Sequence, residues 1–187
     1  MAFRWSRASI LGRIQSRQMI YLRKLNDSDL SFLNYVENDH ENWKSSNTIS
    51  KFENKELKLL INQSKLPINL TKQLRLVICK KSDHSRIGFI DLFDIDFKNS
   101  RSGVSLIIAE KNNRSKGYGS LALNILVEYT LKRLKIKNLY CNISNKNLAS
   151  IKCFESVGFR KVSFNGEYTK SLSKKFNFNS ISQFVCT

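Results

Sequence analysis

Apolar runs alternate with amphipathic segments along the chain from Met19 onward. Short runs rich in Ile, Leu and Val between polar turns predict strands, and apolar residues spaced three or four apart predict helices. A helix capped by Asp27 is predicted to carry Leu30, Leu33 and Val36 on one face. Further helices are predicted at residues 54–63, 119–134 and 147–157, and strands at 20–25, 73–79, 87–95, 104–109, 139–143, 159–164 and 167–172.

The order of these elements predicts a single domain of the α/β (α+β) class. In the middle of the chain a strand, a helix, a strand, a helix and a strand follow one another, which implies parallel pairing with crossover helices. The run at 104–109 is almost continuously apolar, as expected for a strand buried on both faces. Gly158 predicts a helix cap, and Asn165-Gly166 predicts the turn of a closing hairpin. Residues 173–187 show no pattern that predicts an element.

The length of 187 residues and the hydrophobic share of 41% suit one domain with a full core. No apolar run approaches the roughly 20 residues that a membrane helix needs, so no membrane partner is predicted. The cysteines are dispersed without a Cys-x-x-Cys pair, which indicates neither a zinc site nor a disulfide framework. We therefore predict free buried thiols, no metal and a cytoplasmic location. The cysteines are Cys79, Cys141, Cys153 and Cys186.

The formal net charge of +17 raises the question of a nucleic-acid partner, because Lys and Arg neutralise phosphates in such complexes. The chain is also rich in Lys, Asn and Ile, a bias that AT-rich coding alone produces. Residues 1–26 carry six basic and no acidic side chains, residues 27–96 carry ten and eleven, and residues 97–187 carry sixteen and four. The charge is therefore unevenly distributed, and a nucleic-acid or ribosome-associated module is kept only as a competing hypothesis.

The first 18 residues differ in composition from the rest of the chain. They contain four Arg and no Lys or acidic residue, whereas the later basic residues are mostly Lys. An Arg- and Ser-rich, acid-poor extension is typical of an organellar transit peptide. It is equally typical of an upstream start codon or an expression remnant, because Met19 stands just before the first predicted strand. We favour the second interpretation and expect the domain at residues 19–187.

A basic loop with two glycines follows the run at 104–109 and leads directly into a helical pattern. A helix N-terminus presents unpaired N–H groups and a partial positive charge, so a loop at that place can hold a pyrophosphate. Gly117 and Gly119 lack a Cβ and would let the backbone approach such a ligand. A nucleoside-triphosphatase loop would need Gly-Lys-Ser/Thr, and a dinucleotide loop a third glycine, so both are excluded. The spacing Arg114-x-x-Gly117-x-Gly119 remains.

In order and spacing, this loop and further segments resemble the GNAT family of N-acetyltransferases. The similar branch includes spermidine acetyltransferases and enzymes that acetylate the N-termini of ribosomal proteins. The resemblance covers residues 20–170 and implies a mixed sheet of six to seven strands, with splayed central parallel strands and about four helices. The matching segments are 22–25, 29–30, 87–92, 106–109, 114–119, 147–159 and 165–168.

The resemblance implies an enzyme that moves an acetyl group from acetyl-coenzyme A to a primary amine of a small molecule or of a peptide N-terminus. The strand at 104–109 would splay from the strand at 139–143, and the N–H near Ile107 would hold the acetyl carbonyl and stabilise its oxyanion. Pantetheine would lie between these strands along their exposed edges. Asn147 would cap its helix and touch the cofactor. The implied cofactor-binding residues are Leu106, Ile107, Ile108, Arg114, Ser115, Lys116, Gly117, Tyr118, Gly119, Ser120, Asn147 and Phe154.

Two positions depart from the family pattern. A tyrosine that protonates the leaving thiolate commonly stands at the position of Phe154, and many relatives have a catalytic carboxylate at that of Asn142. Phenylalanine cannot donate a proton, and an amide cannot accept one at neutral pH. A water chain, protonation of the thiolate by solvent, and another carboxylate are the alternatives. Asp91 is the first candidate for that carboxylate and Glu37 the second, against the alternative that each is a solvated surface acid.

Acidic residues gather in the segments that wall the acceptor site in this family. We expect their field to attract a cationic amine, such as a polyamine, an aminoglycoside-like compound or a peptide N-terminus, unless they only offset nearby lysines. A relative that binds the cofactor without catalysis is the competing hypothesis that Phe154 and Asn142 motivate. The oligomeric state stays open, with a homodimer as one option. The acidic residues are Glu37, Asp39, Glu41, Glu53, Glu56, Asp91, Asp94 and Asp96.

Overall fold

A mixed sheet of eight strands runs through the computed structural model, which describes residues 19–43, 50–162, 167–171 and 184–185. Its strands are β1 (Ile20–Lys24), β2 (Leu74–Lys80), β3 (Arg86–Asp96), β4 (Arg101–Ile108), β5 (Asn138–Asn142), β6 (Arg160–Lys161), β7 (Glu167–Ser171) and β8 (Phe184–Val185). Their order across the sheet is β6-β7-β5-β4-β3-β2-β1-β8. In this part of the chain only the β4–β5 and β1–β8 pairs are parallel. The seven strands β1 to β7 confirm the expected sheet, and the two-residue β8 extends it where the sequence predicted no element.

Six α-helices lie within the described residues, and they are α1 (Leu30–Glu37), α2 (His40–Trp43), α3 (Asn54–Ser64), α4 (Ile68–Thr71), α5 (Tyr118–Tyr129) and α6 (Leu148–Ser156). Four of them, α1, α3, α5 and α6, have eight residues or more, as expected. None of the helices in these segments is long and apolar enough to cross a membrane.

The start of the first helix differs from the prediction. Asn26, not Asp27, is the capping residue, and it opens a single 3-10 turn at Asp27–Asp29 before α1. The Asn26 side chain accepts from the N–H of Ser28, while the Asp29 carboxylate accepts from the N–H of Asn26 at 2.9 Å. This reciprocal arrangement satisfies N–H groups at the entrance of the helix.

The sheet has a hydrophobic core on each face. Successive residues of a strand point to opposite faces, so Leu76 and Val77 of β2 belong to different cores. Leu76 packs in the cluster that contains Leu123 of α5 and Phe154 of α6. Val77 packs in the cluster that contains Leu33 of α1 and residues of α3. One face is thus covered by α5 and α6 and the other by α1 and α3.

The C-terminal part of the fold confirms the helix cap and the hairpin strands. Gly158 follows α6 with a φ of 96°, the left-handed conformation that favours glycine after a helix. Strand β6 pairs antiparallel with β7, and β7 pairs antiparallel with β5. The predicted Asn165-Gly166 turn and the N-terminal 18 residues lie outside the described residues. Cys79 and Cys141 are buried free thiols, and Cys153 is a half-buried one.

Candidate functional site

The parallel strands β4 and β5 separate after three residue pairs. Their pairing ends at Gly103 opposite Tyr140. Strand β4 continues to Ile108 while it pairs with β3 on its other edge, and β5 continues to Asn142 while it pairs with β7. The facing edges beyond Gly103 therefore open into a cleft, as the resemblance implied.

This opening corrects the expected burial of the run at 104–109. Val104 is buried, but Ser105 is exposed and residues 106–108 are half-buried. A strand is buried on both faces and edges only where it has neighbours on both sides. The apolar residues of this run therefore pack against the two cores but stay partly accessible at residues 106–108, where the strand borders the cleft.

The backbone of β4 presents polar groups to that cleft. A Cβ on Gly88 would collide with the carbonyl oxygen of Ile107, so this carbonyl points toward β3. The N–H of Ala109 also donates toward β3, at 2.9 Å. Because the N–H and C=O groups of successive residues point to opposite edges of a strand, those of Leu106 and Ile108 face the cleft.

A tight loop connects β4 to the N-terminus of α5. Two residues of this loop adopt the left-handed conformation, Ser115 with a φ of 59° and Gly117 with a φ of 82°. Within the described part of the chain, the N–H groups of residues 115–120 donate to no acceptor, and no side chain caps α5. The loop therefore offers a set of unpaired donors beside the partial positive charge of a helix N-terminus.

Arg114 differs from the rest of this predicted anion site. Its N–H donates to the carbonyl oxygen of Lys111 at 3.0 Å, so that group is already used. Its side chain turns back to β4, where Nε donates to Ile108 and Nη2 to Ala109, each at 2.9 Å. The set of unpaired N–H groups therefore begins at Ser115.

The two glycines of the loop have different structural roles. A Cβ at Gly117 would meet nothing within 4 Å, so the space above this residue is open to a ligand. A Cβ at Gly119 would lie 3.0 Å from Cys153 Sγ and 3.1 Å from Leu106 Cδ2. Gly119 thus allows α5 to pack closely on α6 and β4, a reason that the sequence did not suggest.

Three other residues of the predicted cofactor site, Ser120, Asn147 and Phe154, make their contacts at α6. Ser120 Oγ lies 2.9 Å from Ser156 Oγ and so contacts α6. Asn147 caps α6 as expected, because its side chain accepts from the N–H of Ser150 at 3.1 Å. Phe154 is only 2% exposed and its ring packs edge-on against Phe159, with centroids 5.0 Å apart. Phe154 is therefore a core residue in this structure.

Asp91 and Glu37, the two carboxylates proposed for catalysis, meet at Arg75. Arg75 Nε and Nη2 donate to the two oxygens of Asp91 at 2.9 and 3.0 Å, and Nη1 donates to Glu37 Oε1 at 2.6 Å. Ser105 Oγ donates to Asp91 Oδ2 at 3.0 Å. Burial acts to lower the pKa of Arg75, but the two carboxylates outweigh it and the pKa is raised above its usual value.

A cavity of about 260 Å³ lies beside this cluster. Arg75, Asp91 and Ser105 line it, together with residues of α3, of the end of α4 and the segment that follows it, and of β2 and β3. Ser105 lies on β4 just beyond Gly103, where the pairing with β5 ends, so the cavity adjoins the strand that forms one side of the cleft. Sequence reasoning missed Arg75, although a lone charged residue within the apolar run at 73–79 was a usable signal.

Other candidate residues lie elsewhere. Asn142 is exposed at the end of β5, opposite Glu167 of β7, and does not join the Arg75 cluster. Glu41 pairs with Lys111 at 3.0 Å, and Asp94 accepts from the hydroxyl of Tyr140 at 3.2 Å. Glu53 and Glu56 form the capping box of α3, and Asp96 accepts from Asn99.

Comparisons with known proteins agree with this geometry. The profile described as "Acetyltransferase (GNAT) domain" matches residues 20–160. An N-acetyltransferase 9-like protein of Nematostella vectensis is 30% identical over 102 residues, which cover 54% of this chain and 51% of that protein. A probable spermine N(1)-acetyltransferase of Bacillus subtilis subsp. natto is 29% identical over 83 residues, or 43% of this chain and 55% of that protein. The matched region thus spans about half the length of these curated relatives.

Solved structures show the same fold. The spermidine N-acetyltransferase from Vibrio cholerae in complex with CoA and spermine has a TM-score of 0.68 at 19% identity, and the match covers 81% of this chain and 92% of that one. A structure described as dodecameric, of the spermidine N-acetyltransferase from the same organism, also has a TM-score of 0.68. Its identity is 21%, and the match covers 85% of this chain and 97% of that one.

Proposed function

Because the chain belongs to the GNAT acetyltransferase family, we propose that it transfers an acetyl group from acetyl-coenzyme A to a primary amine of a cationic acceptor. The observation that carries this proposal is the cleft between β4 and β5, with the unpaired N–H groups of residues 115–120 at one end. Both features suit one ligand, which has a diphosphate at one end of an extended amide-containing arm.

The residues present fit acetyl-coenzyme A. Ser115, Lys116, Gly117, Tyr118, Gly119 and Ser120 would direct N–H groups at the pyrophosphate, and the open space above Gly117 leaves room for it. The amide groups of pantetheine would bond to the free edge of β4, as an added strand does. Asn147 at the start of α6 and Phe154 stay in the proposed cofactor environment, Phe154 as packing beneath it.

The N–H of Ile108 or of Leu106 would bond to the acetyl oxygen, because these two groups face the cleft. An aligned donor at this place is worth about 3 kcal/mol when negative charge develops on that oxygen. The amine nitrogen would bond to the carbonyl carbon as the carbon–sulfur bond breaks. Coenzyme A would leave as a thiolate that takes a proton from solvent or through a water chain, and the amine would lose a proton. Acetyl-coenzyme A supplies the activated acetyl group for this exchange.

Asp91 is the proposed acceptor of that proton, with Ser105 between it and the cleft. Among the described residues that line the cavity it is the one carboxylate. Arg75 engages both of its oxygens, so proton transfer to Asp91 competes with this ion pair. Glu37 would act through the same arginine, and Asn142 at the cleft end of β5 would only donate or accept hydrogen bonds.

The acceptor is proposed to be a polyamine, an aminoglycoside-like compound or a peptide N-terminus. Two carboxylates and one guanidinium give the Arg75 cluster one net negative charge, which attracts an ammonium group. The names of the relatives include spermine and spermidine acetyltransferases. We further propose a cytoplasmic location, consistent with the free thiols, and self-association of which a homodimer is the smallest form.

Calorimetric titration with coenzyme A and a thiol-release assay with acetyl-coenzyme A test this proposal. Micromolar binding together with amine-dependent release of thiol supports it. Binding without release for a broad amine set would support the catalytically silent relative, for which Phe154 in place of a tyrosine is the motivating observation. Absence of binding would overturn the site itself. Lys58→Met, which removes one charge from the exposed side of α3, is expected to leave both binding and thiol release unchanged.

A further inference from the structure

The cavity beside the cleft is polar but nearly neutral. Of the described residues that line it, Arg75 and Asp91 alone are charged, and they pair with each other. Its other polar lining residues carry amides or hydroxyls, which both donate and accept hydrogen bonds. They are Gln63, Ser64, Thr71, Gln73 and Ser105. This lining differs from the dense negative surface that a fully cationic chain would need.

The guanidinium of Arg75 has N–H groups that are not used in its ion pairs. A guanidinium carries five N–H groups. Three of them donate to Asp91 and Glu37, and the other two have no partner among the described residues. The side chain is fixed, because two carboxylates hold it from two sides and it lies over the Phe89 ring at 5.6 Å. A fixed guanidinium with unused donors at a cavity wall is a recognition element for an acceptor oxygen.

The charge around Arg75 decides which oxygen it recognises. Two carboxylates already offset its single positive charge, so the cluster has no excess positive charge for an anionic ligand. A carboxylate or phosphate on the acceptor would be repelled by Asp91 and Glu37. A neutral carbonyl or hydroxyl oxygen accepts the free N–H groups without that repulsion.

We propose that Arg75 is a specificity-determining residue that selects primary amines with a neutral hydrogen-bond-accepting oxygen nearby, such as an amide carbonyl or a sugar hydroxyl. This inference rests on the proposed function and narrows its acceptor. An amine without such an oxygen would displace water from the two spare N–H groups of Arg75 without giving them an acceptor, which costs affinity. A polyamine at neutral pH carries protonated nitrogens that only donate, so it cannot satisfy Arg75.

The test compares matched acceptors on the full chain saturated with coenzyme A or acetyl-coenzyme A. Glycinamide and propylamine are similar in size but differ in the amide group and in amine basicity. Glucosamine offers hydroxyls, glycine offers a carboxylate, and spermidine offers only nitrogens. Binding is followed by NMR titration and turnover by thiol release. We expect a preference on the order of tenfold for glycinamide or glucosamine over propylamine and spermidine, with glycine weaker than glycinamide. The better of the first two identifies the source of the oxygen.

Arg75→Met and Arg75→Lys then separate selectivity from general damage. The glycinamide-to-propylamine ratio cancels the different basicity of the two amines when it is compared between proteins. We expect this ratio to fall severalfold in both variants and to stay unchanged in Lys58→Met. A wild-type protein that prefers propylamine or spermidine overturns the inference even if the variants do not fold. An oxygen preference in binding without any turnover supports the inference and contradicts the proposed function. Turnover without an oxygen preference supports the proposed function and contradicts the inference.

Discussion

The Nε of Arg114 donates to the carbonyl oxygen of Ile108 at 2.9 Å, so the arginine of the loop holds the end of β4. Its Nη2 makes a second bond of this kind to Ala109. The same strand end presents the N–H of Ile108 to the cleft, and the loop presents N–H groups from Ser115 onward. One side chain therefore fixes the relative position of the two halves of the proposed cofactor site.

Arg114→Met is expected to weaken coenzyme A binding by about tenfold, because the loop would no longer be held in its binding conformation. Titration calorimetry measures the change. Lys116→Met is the matched control, since it removes the same charge from an exposed side chain without a described bond to β4. We also expect faster hydrogen exchange at the amides of Asn113 and Leu121, whose hydrogen bonds flank the loop, in Arg114→Met only. Equal losses of affinity and unchanged exchange in both variants would mean that Arg114 contributes charge alone.

Gly117→Glu is expected to weaken coenzyme A binding by about 100-fold or more, because a carboxylate would occupy the open space proposed to hold the pyrophosphate. Gly117→Ala adds only a methyl group at a φ of 82°, with a strain of about 1 kcal/mol, and should cost less than about tenfold. The dissociation constants of the two variants are compared by calorimetry. Wild-type affinity in Gly117→Glu would contradict the assignment of the anion site.

Asp29→Asn is expected to lower the free energy of unfolding by about 3 kcal/mol. Asp29 is fully buried, and its carboxylate bonds to Arg23 at 2.7 Å and to Arg86 at 3.1 Å, so both guanidinium groups would lose their partner. Urea denaturation measures the change. Asp27→Asn is the control, because the Asp27–Lys65 pair is largely exposed and should contribute less than about 1 kcal/mol. Similar losses in the two variants would contradict the argument.

The stability contributed by Asp29 should depend on pH. Burial acts to raise the pKa of Asp29, but hydrogen bonds from Arg23 and Asn26 outweigh it, so the pKa in the folded state is lowered. Such a group contributes stability above its unfolded pKa of about 3.9, and the contribution is lost as the pH falls through the folded value. The difference in urea midpoint between wild type and Asp29→Asn should therefore shrink from pH 7 to pH 3. A constant difference would exclude the carboxylate charge as its cause.

Much of the fold was predictable from the sequence because local pattern and tertiary structure agree. The apolar spacing of Leu33 and Val36 places α1 against the sheet, and both residues are buried as expected. The loop before α5 and the cap at Asn147 depend on residues adjacent in sequence, so the local sequence was enough to predict both. The helix entrance at Asn26 was misread, because Asn26 and Asp27 are equally good caps by type.

The candidate site was predictable only in part. The sequence predicted Asp91 and Glu37 as candidate catalytic carboxylates, but it could not show that they share Arg75, which is 38 residues from Glu37 in the chain. Gly119 looked like a ligand-contact glycine, whereas Cys153 and Leu106 show that it permits helix packing. Such contacts join residues from separate elements and leave no spacing pattern.

The sequence by itself determined the family, the order of β1 to β7 and of the four longer helices, and the position of the proposed anion loop, since each depends on residues that are neighbours in the chain. Only the tertiary structure decided which edge of β4 is open, which way the Arg114 side chain turns, and which charged residues of the cavity pair with each other. These depend on the divergence of β4 from β5 and on the register between β2, β3 and α1. Strand register and helix packing are set by the whole core, because burial of all apolar faces at once selects one arrangement.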